Sequence, residues 1–439
     1  MGGAINKNVM TDELSAELLM EMRIDPNAFN PDEVIDLFIA EMEKGLAGHK
    51  SSLPMIPAYV GIEGSVPHNE PVIVIDAGGT NLRICLAEFD ESSELQISHF
   101  TKIPMLGTQG ELTAKEFYDE LANLIAPIAD KACSIGFCFS YPAEIQPDMD
   151  GRLLHWTKEV RVPELVGQCI AKGLSLSLTM RGLGQKQIVI LNDTVACLLA
   201  GRAEGEKRGS KSFIGFIMGT GTNTAYVEQN ANISKLDAPP RHASQIINVE
   251  SGGFARCLRG PLDIKLDKQS ENPGGHIFEK MLSGVYLGKL SLELLQVAAR
   301  RGMFSEETAM ALLELKELSW IEVNTFMYEP NDAAGSFACC TDDDRTLLHL
   351  LVEAIIDRAA LLTAANISAT AIKCGSGLVA DQPICINIDG STYYKTYQLS
   401  EKVQRHLSSI LAPRGIHYTC VHVKDAPIVG AAIAGLTAF

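Results

Sequence analysis

The sequence predicts an α/β protein built in two lobes, and three observations carry that expectation. At 439 residues the chain is long for a single core, because cores stop growing at roughly 250–300 residues. Short apolar strands joined through glycine-rich bends alternate with helical patterns, which fill much of the second half. One strand–glycine turn–strand unit also occurs twice, which suggests lobes of related topology facing one another, with both bends near one ligand.

Taken in order, Asn30-Pro31-Asp32-Glu33 reads as a helix start, with an Asn cap, Pro at the first helical position and Glu at the third. Val34, Leu37, Phe38 and Met42 then share a face, and Gly45 reads as the stop. After a Pro- and Gly-bearing connection from Pro54 to Pro67, Val72–Ile75 is a buried strand. It runs into Asp76-Ala77-Gly78-Gly79-Thr80-Asn81 and returns through Leu86 as a hairpin. The repeat comes later: strand Phe213–Met218, bend Gly219-Thr220-Gly221-Thr222-Asn223, return strand Thr224–Glu228. Between the two, Ile188–Leu191 is a buried strand ending in Asn192-Asp193, and one of these caps a helix over Val195–Arg202. Helices are expected at Ile277–Arg301, Glu306–Leu318 and Arg345–Ala365.

Composition narrows the function classes. A hydrophobic share of 46% with 21% charged residues is that of a soluble globular protein. The net charge of −17 argues against a nucleic-acid partner or an anionic membrane surface. It leaves room for an anionic ligand, since backbone N–H groups can hold a phosphate. Eleven cysteines, scattered and without a C-x-x-C pair, point to free thiols in a reducing compartment. The adjacent Cys339-Cys340 reads as packing. Met1–Ser15 lacks the apolar core of a signal peptide, and Asn6 stands where a myristoylation signal has Ser or Thr. No apolar run approaches the ~18 residues of a membrane span, so a cytoplasmic location is expected.

Phosphate binding needs amides aimed at oxygen anions and glycine to let the chain come close. Gly78-Gly79-Thr80-Asn81 supplies that, with Arg83 nearby, and Asp76 is placed to hold Mg²⁺ through water. No Gly-Lys-Ser/Thr follows, so this is not a Walker A loop, and the strand after it rules out a Rossmann turn. Asp193 has two readings open: a helix cap, or a catalytic base at the carboxyl end of an α/β strand.

The combination of segments resembles the hexokinase family along nearly the whole chain. Ser52–Pro57 (SLPMIP), Ile75–Arg83 (IDAGGTNLR), Phe137–Pro142 (FCFSYP) and Gly151–Lys158 (GRLLHWTK) match its pattern. Leu191–Val195 (LNDTV), Met218–Asn223 (MGTGTN), Asn248–Glu250 (NVE) and Asn272–Gly274 (NPG) follow in the same order. Phe278–Gly284 (FEKMLSG), Tyr286–Gly288 (YLG) and Asn387–Ser391 (NIDGS) complete it.

The resemblance implies a two-lobed, actin-like (ribonuclease H-like) kinase with a central interlobe cleft. Its implied division is residues 1–66 and 192–425 for the large lobe, 67–191 for the small lobe, and a C-terminal helix, 426–439, returning to the small lobe. ATP with Mg²⁺ is implied as phosphoryl donor and a hexose, D-glucose foremost, as acceptor at its 6-hydroxyl. Ser140, Thr157, Lys158, Asn192, Asp193, Asn223, Glu250 and Glu279 are implied as hexose contacts, with Asp193 as the base. Gly78, Gly79, Thr80, Asn81, Arg83, Gly219 and Thr220 would meet nucleotide phosphates, with Gly390 and Ser391 beside the nucleoside. Lys158 and Arg83 would balance charge on the transferring phosphoryl. Three departures stand out. Gly275-His276 replaces a usual Gln-Gln, Val285 replaces a Lys near the ATP phosphates, and Ala426–Ala432 (APIVGAA) replaces a usual Ser-Gly-Lys-Gly-Ala-Ala. A non-catalytic sugar sensor on the same fold would tolerate the nucleotide-side departures but has no use for the base Asp193. An actin- or chaperone-type ATPase would lack the Thr157-Lys158 and Asn192-Asp193 set. The oligomeric state, monomer or homodimer, is left open.

Overall fold

The computed structural model describes residues 13–157, 159–236, 243–332 and 334–439. Two helices open the chain, α1 (13–21) and α2 (Pro31–Leu46). Strands β1 (Ile56–Pro57), β2 (Val72–Ala77), β3 (Asn81–Phe89) and β4 (Leu95–Pro104) follow. Then come α3 (Ala114–Ile125), β5 (Ser134–Phe139), β6 (Ala143–Ile145), β7 (Gly151–Leu153), α4 (Ile170–Met180), β8 (Gln187–Leu191) and α5 (Asp193–Glu206). Strands β9 (Ser212–Met218), β10 (Thr222–Gln229) and β11 (Ser244–Asn248) precede a helical run. That run is α6 (Pro261–Gln269), α7 (Glu279–Leu282), α8 (Gly284–Arg300), α9 (Glu306–Glu314), α10 (Trp320–Tyr328) and α11 (Asp342–Lys373). The chain ends with β12 (Ile384–Asp389), α12 (Ser391–Lys395), α13 (Leu399–Leu411), β13 (Tyr418–Val421) and α14 (Ala426–Thr437).

Two sheets carry the architecture, and their topologies match. One is ordered β4-β3-β2-β5-β8 and the other β1-β11-β10-β9-β12-β13. In the first, β2, β3 and β4 are antiparallel, while β5 and β8 continue β2 in parallel. In the second, β9, β10 and β11 are antiparallel, while β12 and β13 continue β9 in parallel. The duplicated hairpin of the sequence is therefore the start of a duplicated sheet. A parallel step needs a crossover connection, usually helical: α3 lies on the way from β2 to β5, α4 from β5 to β8, α6 to α11 from β9 to β12, and α12 and α13 from β12 to β13.

Helices α5 and α14 lie between the sheets. Helix α5 packs on β9 and β12, α14 packs on β2 and β5, and the two helices pack on each other. Small residues make this possible. A Cβ on Gly430 of α14 would fall 2.0 Å from the Ala196 carbonyl oxygen of α5, and one on Gly136 of β5 would fall 1.8 Å from that of Ala431. Backbone thus meets backbone. Ile428 and Ile433 of α14 are buried, each worth roughly 1.5–3 kcal/mol relative to exposure.

Local expectations hold in part. Asn30 caps α2 by accepting from the Asp32 amide at 3.0 Å. Gly45 does not end that helix, which runs to Leu46. Its missing side chain instead admits the Leu53 carbonyl, which a Cβ would approach to 2.2 Å. The helix expected over Ile277–Arg301 is two helices, because Ser283 is extended (φ −83°, ψ 159°). The one expected over Glu306–Leu318 stops at Glu314. The last one is longer than expected. It begins at a capping box between Thr341 and Asp344 and runs 32 residues to Lys373. Ion pair Arg358–Asp263, buried at both ends, ties α11 to α6 through two bonds of 2.8 and 2.9 Å. All eleven cysteines are free, and Cys340 is buried in the core as packing. Among the described residues, no helix is long and apolar enough to cross a membrane.

Candidate active site

The carboxyl ends of the parallel strands gather the candidate residues, which is where open α/β sheets place their sites. Strand β2 ends at Ala77 and opens into the turn 78–80; β5 ends at Phe139 before Ser140; β8 ends at Leu191 before Asn192 and Asp193. In the second sheet, β9 ends at Met218 before Gly219 and Thr220, and β12 ends at Asp389 before Gly390 and Ser391.

Asn192 and Asp193 divide the two readings that the sequence left open. The cap of α5 is Asn192, whose Oδ1 accepts from the Thr194 amide at 2.9 Å. Asp193 is the first residue of the helix, and its carboxylate accepts from the Thr194 hydroxyl at 3.3 Å. It is therefore not needed as a cap. A helix N-terminus favours its negative charge.

A polar network lies beside Asn192. Asn223 Nδ2 donates to Asn248 Oδ1 at 2.8 Å and lies 3.5 Å from both Asn192 Oδ1 and Glu250 Oε1. Asn248 Nδ2 donates to Glu250 Oε1 at 2.8 Å. Glu250 is held at φ 57°, a left-handed conformation that costs a non-glycine residue of order 1–3 kcal/mol. Burial raises its carboxyl above the ordinary range, and the Asp193 and Glu279 carboxylates raise it further, against the Asn248 bond and His276. Glu279 Oε2 accepts from the Thr222 amide at 3.0 Å, and its Oε1 lies 4.0 Å from His276 Nδ1. Gly221 leaves the space for that carboxylate, since a Cβ there would sit 2.4 Å from Glu279 Oε2. Behind the network is a cavity of ≈20 Å³ lined by Phe139, Tyr141, Ile190, Asn192, Asn248 and Glu250 among others, about one water in size.

The first glycine turn is braced on several sides. Gly78 donates its amide to Asn81 O at 3.0 Å, and Thr80 O accepts from the Met105 amide at 3.0 Å. Asn81 Nδ2 donates to Thr80 Oγ1 at 2.8 Å. At its foot the buried Asp76 accepts from Arg83 Nε at 2.5 Å, and Arg83 Nη1 donates to Asp425 at 3.0 Å. Burial raises the Asp76 carboxyl, Arg83 opposes that, and the Asp193 charge adds to it. Asp193 thus lies within electrostatic reach of both Asp76 on the glycine-turn side and Glu250 in the polar network. Arg83 is no loose cation, being fixed between two carboxylates.

The second turn joins the Asp-Gly-Ser segment. The Gly219 carbonyl accepts from Thr392 Oγ1 at 2.7 Å and from the Gly284 amide at 3.0 Å. Gly390 has φ 115°, and a Cβ on it would fall 2.2 Å from Met218 O, so glycine is required there. Beside these turns a groove of ≈970 Å³ is lined by residues that include Thr220, Val285, Lys289, Trp320, Ser391 and Lys395. Val285 therefore does face the side where a nucleotide was expected, and Lys289, one turn further along α8, lines the same groove. Ser140 follows β5 with its amide on Ala77 O at 3.1 Å, and Thr157 is half-buried beside Trp156. Lys158 lies outside the described residues.

Sequence reasoning missed Asn248 as a site residue, although its spacing was a signal: residues two apart at a strand end share a face, and Glu250 was already a candidate. It also missed Tyr141 and Asp425. Tyr141 reaches a carbonyl 63 positions earlier and Asp425 a guanidinium 342 positions earlier, and no local pattern marks such contacts. Among the described residues no cluster of three or more His, Cys, Asp or Glu is arranged to hold a metal.

Comparison with known proteins identifies the family. Two family profiles, both described as hexokinase, match residues 16–203 and 213–437. Glucokinase-1 of Kluyveromyces lactis is 31% identical over 455 residues, covering 92% of this chain and 94% of that protein. Glucokinase-1 of Saccharomyces cerevisiae is 30% identical, covering 93% and 94%. Among solved structures, a hexokinase from Schistosoma mansoni complexed with glucose superposes with a TM-score of 0.77 at 23% identity, covering 97% of this chain and 99% of that one.

Proposed function

The chain belongs to the hexokinase family and is a sugar kinase, and from that premise we propose the reaction and the part each residue takes in it. The acceptor is the 6-hydroxyl of a hexose, D-glucose foremost, the donor is ATP with Mg²⁺, and the product feeds glycolysis. The observation that carries this reading is the position of Asp193. Its carboxylate stands at a helix N-terminus whose cap is Asn192, and its charge bears on both the buried Asp76 at the foot of the first glycine turn and Glu250 in the polar network.

Several amide and carboxylate groups suit a neutral polyol, which is recognised through hydrogen bonds. Asn192, Asn223, Glu250 and Glu279, with Ser140, Thr157 and Lys158, hold the hexose, and Asp193 orients its 6-hydroxyl and accepts the proton as the bond to phosphorus forms. The turn 78–81 and the turn 219–220 place amides toward the phosphates, Arg83 holds a fixed positive charge beside them, and Lys158 adds another. Gly390 and Ser391 lie beside the nucleoside. Asp76, buried and already bonded to Arg83, suits contact through water with a Mg²⁺ carried in on the nucleotide better than direct ligation. That ion supplies charge neutralisation on the phosphates. The lobes, divided as 67–191 against 192–425, close on the sugar and exclude water as a competing acceptor.

A coupled assay over a panel of hexoses and phosphoryl donors tests the reading, with NMR locating the phosphate on the product. Glucose with MgATP is expected to give the 6-phosphate. Saturable sugar binding without turnover for any donor would replace the kinase by a sensor.

A further inference from the structure

We propose that Tyr141 is a positioning residue that couples the hexose side of the cleft to the phosphate side, its ring forming part of the sugar-side wall while its hydroxyl holds the first phosphate turn. The inference rests on the kinase reading above and concerns a residue outside the set expected from sequence.

Tyr141 is 2% exposed and comes two residues after β5. Its Oη donates to the Gly78 carbonyl at 2.7 Å, and the amide of the preceding Ser140 donates to the Ala77 carbonyl at 3.1 Å. Two successive residues of one segment thus grip two successive carbonyls at the start of the other. The ring meets Trp156 edge-to-face at 4.9 Å and 77°, and Phe139 in a tilted pair at 5.1 Å and 52°, both within the centroid distances at which aromatic pairs attract. Trp156 is itself fixed by its Nε1, which donates to Val162 O at 2.6 Å, and it immediately precedes Thr157. On another side the Tyr141 ring lines the small cavity shared with Asn192, Asn248 and Glu250. A rearrangement of Trp156 and Thr157 on sugar binding therefore reaches Gly78 through one rigid side chain.

Packing alone needs only the ring; the hydroxyl makes the link. Phenylalanine would keep the wall and leave the Gly78 carbonyl without this donor, so the turn would lose one brace while the Asn81–Gly78 bond remained.

The test is Tyr141→Phe beside the wild type, with Phe117→Leu as a control that loosens the same aromatic cluster at Trp156 without touching Gly78 or the cavity. Tyr141→Phe is expected to raise the KM for MgATP about threefold to tenfold, the range that loss of one neutral hydrogen bond supports. Hexose affinity in the absence of nucleotide should stay within twofold of wild type, and MgADP affinity by calorimetry at saturating hexose should fall by the same factor as the nucleotide KM rises. Phe117→Leu, in the core away from the cavity, should lower Tm and leave the nucleotide KM unchanged. The factor by which saturating glucose tightens MgADP should shrink in Tyr141→Phe, because coupling between two sites is reciprocal; an unchanged factor, or no loss of MgADP affinity, would overturn the coupling. Wild-type turnover checks the kinase reading separately, and the calorimetric comparison does not depend on it.

Discussion

Asp193→Ala separates chemistry from folding, and the geometry gives the size of each effect. The substitution leaves the Asn192 cap of α5 intact, with its 2.9 Å bond to the Thr194 amide. It removes one 3.3 Å contact to the Thr194 hydroxyl and one favourable charge at the helix N-terminus, about 0.3–1 kcal/mol. Against that, it relieves repulsion on the buried Asp76 and Glu250 carboxyls. Net destabilisation should therefore stay below about 1 kcal/mol, a Tm change under about 4 °C. Turnover should fall about 10²–10⁴-fold, the usual cost of losing a general base, which is about 2.7–5.4 kcal/mol of barrier at 1.36 kcal/mol per decade. Asn192→Ala provides the contrast, because loss of the cap costs about 0.5–2 kcal/mol of stability. Thermal melting and a continuous assay coupled to ADP release measure both quantities on the same samples. Turnover within tenfold of wild type, or a larger loss of Tm for Asp193→Ala than for Asn192→Ala, would refute the assignment of Asp193 as base.

Three further outcomes are expected. Val285→Lys adds a cation to the groove that Thr220 and Ser391 line, so it should lower the KM for ATP and leave the hexose KM nearly alone; an unchanged or higher ATP KM would show that Lys289 or Lys395 already meets the need. Glu250 has its carboxyl raised chiefly by burial, so the folded state keeps its proton longer than the unfolded one and stability falls as pH rises past the ordinary Glu range. Glu250→Gln should accordingly raise the sugar-free Tm more at pH 8 than at pH 4.5 while weakening hexose affinity, and a gain confined to low pH would contradict the sign. Asp344 is the opposite case: burial pushes it up, but donors from Ser305 and Thr341 outweigh burial and hold it at about 2. Its contribution, about 2 kcal/mol from a shift of roughly two units, is present above pH ~4 and lost as pH falls toward 2. Urea midpoints of wild type and Asp344→Asn should converge over that interval, and a constant gap would refute the linkage.

Much of the architecture could be read in the sequence because it is local. The Gly78–Asn81 and Gly219–Asn223 bends announce their hairpins, and the apolar runs beside them become β2 and β9. What could not be read depends on tertiary company. Gly45 looks like a helix stop until the Leu53 carbonyl is seen to need its space. The break at Ser283 sits inside an unbroken helical pattern, and α7 is held in part by a 3.4 Å bond from Arg358 Nη2 to Met281 O, 77 positions away. In the site, Asn192, Asn223 and Glu250 converge as expected, but Arg83 proves to be shared between Asp76 and Asp425, a pairing that no spacing rule anticipates.

The placement of α14 has a consequence for how this chain is made. Strand β8 completes the first sheet at Leu191, yet the helix that covers β2 and β5 starts only at Ala426. During synthesis one face of the first sheet must wait, uncovered and apolar, while the whole second sheet and its helices leave the ribosome. A chain stalled or cleaved before Ala426 would expose Val72, Val74 and Cys138, which pack beside Ile428 and Ala431 in the finished core. Such a fragment should be held by chaperones or aggregate, even though every strand of its first sheet is present.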